Sequence, residues 1–404
     1  MIDFTVDGVL KNIRDMARWF AQNELRPRAL KADRECKVDD DFILMVHKMG
    51  IAAGGSQLPA GLVGGSGGGG EHREKITNRA QIVGAEELAS GDAAAVTSFP
   101  GPGLGGPPVQ FTGTKEQQER FFSIFKQDQP PRWGAYALTE PGAGSDVAAL
   151  STTCRKEGSE YVINGRKVYI TNGARADWVV CFATIDKNLG RAGQRAFVVE
   201  KGTPGFKVGR IEKKLGLRAS ETAELWLEEC RVPEANLLGG EDHYEKRAKG
   251  GFTTAMKTFD STRPLVAIMA VGIARCAYEL TLDHAKQNLM LNRPLAAYDP
   301  VRDALVEMNR KIRAARLLCL RAAWMADMGI PNTMEASMSK AYAAKIGQEV
   351  TSKCVELLGL TGTRHDAMVE KCFRDMKVYD IFEGTGEIQR LIISRKLMPD
   401  IRIP

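Results

Sequence analysis

Four stretches of this chain gather residue types that could do chemistry. Glu383 lies in Tyr379-Asp-Ile-Phe-Glu-Gly-Thr-Gly-Glu-Ile-Gln-Arg390, between an apolar run and the break Gly384-Thr385-Gly386. A carboxylate there is desolvated by Tyr379, Ile381 and Phe382, which raises its pKa toward that of a useful base. Thr385 suits the N-cap of a helix beginning near Glu387, whose first turn offers N–H donors. Tyr136-Ala-Leu-Thr-Glu-Pro-Gly-Ala-Gly-Ser-Asp146 places glycines at 142 and 144 just before Ser145 and Asp146. Exposed N–H groups beside small hydroxyls can hold a carbonyl-rich ring or a phosphate. This is not the dinucleotide fingerprint, which needs a strand, GxGxxG and a helix. In Tyr169-Ile-Thr-Asn-Gly173 an aromatic and a hydroxyl two residues apart on a strand face the same way. In Phe259-Asp-Ser-Thr-Arg-Pro264, Arg263 precedes an apolar helix. Taken singly, each stretch also reads as plain structure: a connector, a half-buried aromatic, a helix-start arginine paired with Asp260, a glutamate in a cap.

The elements that must position these residues fall into three textures. From Asp7 to about Lys126 the pattern is helical: Ile13, Met16, Phe20 and Leu25, then Phe42, Met45 and Met49, recur near helical period. Two glycine-rich interruptions, 61–70 and 100–108, cannot be helical throughout; they read either as flexible surface loops or as loops beside a ligand needing close backbone approach. From Trp133 to Val232 the pattern is of strands. Asn164-Gly165 signals a hairpin inside Tyr161–Ile170, Trp178–Ala183 and Ala196–Glu200 are further strands, and Thr203-Pro-Gly205 is a turn. From Gly251 long helices return. Val301, Leu305, Met308, Ile312, Ala315 and Cys319 form a heptad-like seam of a bundle, Gly329-Ile-Pro331 stops that helix, and Asn332 with Glu335 resembles a capping box. The fold class is therefore mostly α with a central β domain, divided at 1–132, 133–244 and 245–404.

Composition removes several other functions. Hydrophobic residues at 44% and charged residues at 26% of 404 exclude a disordered, collagen-like or disulfide-scaffold chain. A net charge of +6 is too thinly spread to indicate nucleic acid, and no aromatic-interleaved basic patch supports it. No stretch reaches 18 apolar residues, so no membrane span is expected. Eight cysteines, none in a CxxC pair, read as buried reduced thiols of a cytoplasmic protein. The five histidines never show HxxxH spacing, so no histidine-based metal site is expected.

In this order the four stretches strongly resemble the acyl-CoA dehydrogenase family of flavoenzymes, from about Arg14 to Arg395. The resemblance implies an N-terminal helical domain, a middle β-barrel-like domain and a C-terminal four-helix bundle, with FAD between the last two and reaching a neighbouring subunit. It implies that Tyr136, Leu138, Thr139, Gly144 and Ser145 line the isoalloxazine. Tyr169 would pack against the ring, where the family usually has tryptophan, and Thr171 would contact it. Thr385 and Glu387 would approach FAD from the bundle. On the substrate side stand Ser145, Phe259, Asp260, Arg263 and Gly384. The implied reaction is α,β-dehydrogenation of an acyl-CoA thioester to the trans-2-enoyl-CoA. Glu383 removes the α-proton as the β-hydrogen leaves as hydride to flavin N5, and electrons pass to an electron-transfer flavoprotein. The thioester oxygen receives hydrogen bonds from the base residue's own N–H and a ribityl hydroxyl. Some relatives carry the base on the helix starting near Asp260; the matching position here is Thr262, which leaves Glu383 as the sole candidate.

The chain also departs from the family's pattern. An arginine that binds the FAD pyrophosphate across the subunit interface is replaced by Asn288, with Leu291 and Asn292 where Phe-Gly is usual, and Arg293 lies five residues later. Glu356 puts a carboxylate where a neutral amide is common, although Gly359 is kept. The expectation is a homo-oligomer, dimer or tetramer, in which Arg293 or another basic residue compensates. The alternative is a weakly or non-catalytic subunit paired with a paralogue, against which the retained Glu383 argues. An oxygen-using oxidase is disfavoured because such chains usually carry an extra C-terminal domain.

Overall fold

The structure, a computed structural model, describes residues 4–51, 76–126, 128–246 and 250–400, and the side chains of 250–255, 257–258 and 260–261 lie outside that description. The glycine-rich stretch 61–70 also falls outside it.

Helices build both ends of the chain. α1 (Gly8–Phe20) continues through a π turn into α2 (Arg26–Glu35), followed by α3 (Asp40–Lys48), α4 (Thr77–Thr97), α5 (Gly106–Thr112) and α6 (Lys115–Phe122). Ile13, Phe20 and Leu25 are buried as the spacing predicts, whereas Met16 and Met49 are exposed. α4 is buried over most of its length because it is small-sided. A Cβ on Gly91 would sit 2.8 Å from the Ala21 carbonyl, so the turn after α1 lies against α4's backbone. The second proline- and glycine-rich stretch is not a flexible surface loop. Gly101 bonds to Arg132 and Gly134, and α5 begins within it with prolines in its first turn, where a missing N–H costs nothing.

The middle of the chain is one curled sheet. β1 (Gly134–Ala137), β2 (Thr153–Glu157), β3 (Glu160–Thr171), β4 (Trp178–Thr184), β5 (Gln194–Glu200), β6 (Phe206–Ile211) and β7 (Thr222–Pro233) pair in the order β1-β4-β2-β3-β7-β6, with β5 also on β4. The Asn164-Gly165 signal misplaces the hairpin. The β2–β3 turn is at Gly158-Ser159, and Asn164-Gly165 instead makes a bulge within β3 opposite β7. Asn164 spends its turn-forming side chain on Glu229, accepting from its N–H and donating to its carboxylate, both at 2.8 Å. Gly165 is needed because a Cβ there would overlap the Thr152 side chain.

Beyond α7 (Gly240–Lys246) the bundle consists of α8 (Gly250–Gln287), α9 (Asp299–Asp327), α10 (Thr333–Leu358), α11 (Met368–Met376) and α12 (Gly386–Leu397), with a two-stranded hairpin, β8 (Leu289–Met290) and β9 (Arg293–Pro294), between α8 and α9. Leu305, Met308, Ile312, Ala315 and Cys319 are buried along α9 as the seam requires, with Val301 partly buried. Two local expectations change. α8 runs straight through Phe259–Pro264, so Arg263 sits inside a helix rather than at its start. Asn332 does occupy the N-cap of α10, but its side chain donates to the Ala322 carbonyl, and Glu335 pairs with Arg321 instead of closing a box. The window within Thr262–Gln287 has the length and mean hydropathy, 1.7, of a membrane-crossing segment, yet 72% of it is buried in the protein as a core helix. Seven cysteines are buried; Cys36 is exposed, contrary to expectation.

Buried charges tie these parts together. Glu86 and Glu87 of α4 are paired with Arg18 of α1, Arg275 of α8 and Arg316 of α9. Lys371 of α11 has no exposed side-chain surface and bonds Asp92 at 2.8 Å and Asp375 at 2.5 Å. Asp92 stands where α4 departs from helical geometry, and Asp375 also accepts the Leu217 N–H of the strand region at 2.6 Å. We propose the division at 132/133 and 244/245; the second boundary falls inside α7, after Tyr244, which joins the sheet's core.

Replacing Lys371 by Met leaves Asp92 and Asp375 facing each other without a cation, and breaking such a buried pair costs about 3–5 kcal/mol. Lys371→Met should therefore lower the denaturant midpoint strongly, while Lys311→Met, which breaks a more exposed contact to Glu349, should cost under about 1 kcal/mol. Equal midpoints for the two variants would refute the claim that Lys371 is a structural centre.

Candidate active site

Glu383 follows α11 through a short 3-10 turn, Lys377–Asp380, and precedes α12. α12 starts as expected: Thr385 is its N-cap and accepts from the Ile388 N–H. Glu383 itself takes a positive φ of 58° and Gly384 one of 88°. The chain thereby turns its carboxylate inward toward α8. There Thr262 Oγ1 donates to Glu383 Oε2 at 2.5 Å. The two positions at which the resemblance implies a base thus meet, one as the carboxylate and the other as its hydrogen-bond donor.

Burial raises the Glu383 pKa above the ordinary carboxylate value, and Thr262, Arg263 and Lys340 oppose that rise. Lys340 of α10 is buried and donates to the Gly384 carbonyl at 2.6 Å. Gln389 Nε2 donates to the Glu383 carbonyl at 3.2 Å and the Gly384 carbonyl at 3.0 Å. Neither residue stood out in the sequence. The only signal for Lys340 was its place on the Ala336–Lys340–Ala343–Gly347 stripe of small buried residues.

Opposite the carboxylate, the Tyr136 ring lies edge-on to Phe182 at 5.2 Å and Phe259 at 5.9 Å between centroids. Its buried hydroxyl has no hydrogen-bond partner among the described residues. Burial, and then the charge of Glu383, raises its pKa well above the usual phenol value. Arg263 is buried with its guanidinium 5.9 Å from the Phe259 ring centre. The side chain of Asp260 lies outside those described. Glu383, Gly384, Thr262, Arg263, Phe259 and Tyr136 therefore form one site.

The glycine loop is fixed from behind. Glu140 is buried and bonds Lys167 at 2.7 Å, the Ser151 N–H and hydroxyl, and the Thr152 N–H. Burial pushes its pKa up, but Lys167, Ser151 and Thr152 outweigh that and hold it down to about 2. Thr139 accepts from the Val168 N–H, so the loop leaves β1 clamped beside the end of β3. From this clamp Gly144 and Ser145 project outward, exposed, and a Cβ at 144 would meet nothing. Leu138 faces inward. Tyr169, at a second bulge in β3, adopts a left-handed φ of 60° and is 64% exposed, with Thr171 half-buried on the same face. Thr385 and Glu387 stand apart: no hydrogen bond or ion pair among the described residues joins them to this loop, and Glu387 pairs with Arg390. The hairpin residue Arg293 lies over the Tyr298 ring at 5.3 Å. Asn288 donates to the His284 carbonyl, and the Glu356 charge is met by Lys353 at 2.6 Å.

Comparison with known proteins decides the family. The chain matches the acyl-CoA dehydrogenase N-terminal domain over residues 10–124, the middle domain over 135–230 and the C-terminal domain over 249–398. It belongs to the acyl-CoA dehydrogenase family. The enzyme is 36% identical to the short-chain-specific acyl-CoA dehydrogenase of Clostridium acetobutylicum, over 98% of this chain and 100% of that one. Among solved structures it superposes on butyryl-CoA dehydrogenase of Megasphaera elsdenii with a TM-score of 0.87 and 32% identity, covering 98% of this chain and all of that one. A chain from a structure described as the electron transferring flavoprotein of Acidaminococcus fermentans gives the same TM-score at 34% identity, covering 98% and 99%. This acyl-CoA dehydrogenase is thus an oxidoreductase acting on an acyl-CoA, its cofactor is FAD, and the helical–sheet–helical order is the family fold.

The positive φ at Gly384 has a direct test. An alanine there would place its Cβ 2.6 Å from Gln389 Nε2, on a backbone conformation that costs a non-glycine residue about 1–3 kcal/mol. Gly384→Ala should lose that much stability in chemical unfolding; an unchanged midpoint would contradict the left-handed turn.

Proposed function

We propose that the enzyme catalyses α,β-dehydrogenation of an acyl-CoA thioester to the trans-2-enoyl-CoA, with Glu383 as the base. The observation that carries this reading is the buried Glu383 carboxyl, inward-facing and hydrogen-bonded to Thr262. An α-proton of a thioester is weakly acidic, so its acceptor must be desolvated and close. Burial makes Glu383 a stronger base than an exposed carboxylate, a rise that its hydrogen bond from Thr262 moderates. Among the described residues the Glu383 N–H meets no acceptor. It is the donor we assign to the thioester oxygen, where negative charge grows as the proton leaves.

What the sheet presents supports a place for the cofactor. Tyr169 offers a fixed aromatic face, and Gly144 and Ser145 offer open backbone and a hydroxyl beside it. These residues fit a flat ring with polar edges. We assign Tyr136, Leu138, Thr139, Gly144, Ser145, Tyr169 and Thr171 to the isoalloxazine side, and Thr385 and Glu387 to FAD from the bundle. Ser145, Phe259, Asp260, Arg263 and Gly384 are assigned to the acyl-CoA side. When bound, FAD supplies the acceptor for the β-hydrogen as hydride. The Tyr136–Phe182–Phe259 cluster excludes water from the base, which keeps the proton on its path to Glu383.

The same reading places the enzyme in the cytoplasm and in fatty acid metabolism, with an electron-transfer flavoprotein as acceptor and a homo-oligomer, dimer or tetramer, as the working assembly. Eight free thiols suit a reducing compartment. Similarity to the Acidaminococcus fermentans chain supports the acceptor. The Glu356 charge is met by Lys353, which removes one objection to anion binding near the end of α10; we assign the pyrophosphate to Arg293 or another basic residue.

Glu383→Gln should keep the fold and its flavin but slow substrate-driven flavin bleaching by about 10²–10⁴-fold, the usual worth of a general base. In the native enzyme the activity should fall as pH drops through the Glu383 pKa, giving an acid limb above the ordinary carboxylate range. More than about a tenth of the native rate in the variant would refute the assignment. Short acyl-CoAs are the first substrates to try, given the relatives' names.

Expressed alone, the chain should form a stable homo-oligomer with one FAD per subunit, measured by light scattering and flavin absorbance. Flavin-free or aggregated protein, rescued by a co-expressed paralogue, would favour the paired-subunit alternative.

A further inference from the structure

The chemistry above uses Glu383 and leaves the role of Lys340, buried beside it, open. The backbone that Lys340 and Gln389 hold is not one a glutamate adopts freely. A left-handed non-glycine residue costs about 1–3 kcal/mol and persists only where its surroundings over-determine it. Here the surroundings are three hydrogen bonds: Lys340 and Gln389 to the Gly384 carbonyl, and Gln389 to the Glu383 carbonyl. Gln389 and Thr262 show that neutral donors fit this neighbourhood. A buried lysine is a costly way to add one more. What an ammonium adds over an amide is charge next to the base.

We propose that Lys340 is a positioning residue for Glu383: its bond to the Gly384 carbonyl holds the turn that presents the Glu383 N–H to the substrate, and its positive charge keeps a carboxylate rather than a carboxylic acid facing the α-carbon. The role rests on the reading of Glu383 as the base. The groups around the pair come from every neighbouring element. α8 contributes Thr262 and Arg263, α10 Lys340 itself, the 3-10 turn Asp380, and α12 Glu387; β1 adds the phenol of Tyr136. Burial lowers the Lys340 pKa to about 8, with Asp380 and Glu383 opposing that and Arg263 adding to it. Lys340 is therefore largely charged at neutral pH, where Glu383 must be ionised. Because Lys340 and Arg263 both favour the ionised carboxylate, removing either raises the pH at which Glu383 takes up its proton.

Three holoenzyme variants separate position from charge, with Glu383→Gln as a control on the base. Lys340→Met removes donor and charge, Lys340→Gln keeps a donor, and Lys340→Arg keeps both. The readout is anaerobic flavin bleaching by saturating butyryl-CoA across pH, with FAD per subunit measured in parallel. We expect Lys340→Met to bleach about ten- to a hundredfold more slowly, as misplaced reacting groups do, with its acid limb moved to higher pH. Lys340→Gln should recover part of the rate but keep the moved limb, and Lys340→Arg should restore the native limb. An unmoved limb in both Lys340→Met and Lys340→Gln at native flavin content overturns the proposal, whatever the rates. If Lys340→Met does not fold, the Lys340→Gln and Lys340→Arg pair decides by the same limb. Native bleaching in Glu383→Gln would overturn the base reading and the Lys340 role together; slow bleaching there with unmoved Lys340 limbs overturns the Lys340 role alone.

Discussion

The Lys371 ammonium, sealed between Asp92 and Asp375, is the contact on which the arrangement of the molecule depends. It ties α11 to the point where α4 breaks its helix, and Asp375 extends the tie to Leu217 at the sheet. One residue before Asp375, Arg374 bonds Asp33 of α2 and the Leu215 carbonyl. The N-terminal helices, the sheet and the bundle thus share one short helix. A buried ion pair gives little net stability, since desolvation offsets much of its attraction. Its worth here is geometric, because α11 leads within seven residues to Glu383. The node fixes where Glu383 emerges relative to the sheet that carries Tyr169.

The site balances two opposing effects on one carboxyl. Burial makes the ionised form costly, and Thr262, Arg263 and Lys340 lower that cost again. Either effect alone would unfit the carboxyl for the role we propose: full solvation would make it a weaker base, and burial without donors would disfavour its ionised form. The same pattern holds at the glycine loop, where Glu140 is buried but held ionised by Lys167 so that its oxygens can organise Ser151 and Thr152. In both places a buried charged residue, Lys340 or Glu140, bonds the backbone of a turn or of its neighbour and so helps to fix it.

Much of this was legible beforehand, and the misses share a cause. The three textures, the α9 seam, the Thr385 cap and the burial of Glu383 follow from periodicity and from local motifs, which are short-range signals. Asn164-Gly165 misled because a hairpin signal acts only through neighbours in sequence, whereas Thr152 and Glu229, distant in the chain, turned it into a bulge. Phe259–Pro264 looked like a helix start because Pro264 forbids one backbone bond; packing of α8 in the core overrode that local loss. Lys340 and Gln389 were invisible, since a lysine in a helix is ordinarily solvated and only the fold brings it to Gly384. Arg293 lies on the exposed hairpin, where a single chain does not show what it meets.

α8 also has a consequence for how the chain comes to exist. Its apolar segment is covered in the finished protein by α4, which is made earlier, and by α9, α10 and α11, which are made later. Synthesis from Gln287 to the end of α11 at about 5–20 residues per second takes roughly 5–20 s. During that interval the nascent segment lacks α9, α10 and α11 and has α4 as its main earlier-made partner, and it carries the hydropathy that targeting machinery reads as a membrane anchor. The small side chains that let α4 approach it, with Gly272 lying directly over the Glu86 carbonyl, therefore matter before folding is complete. They give the emerging helix a half-built shelter on the ribosome.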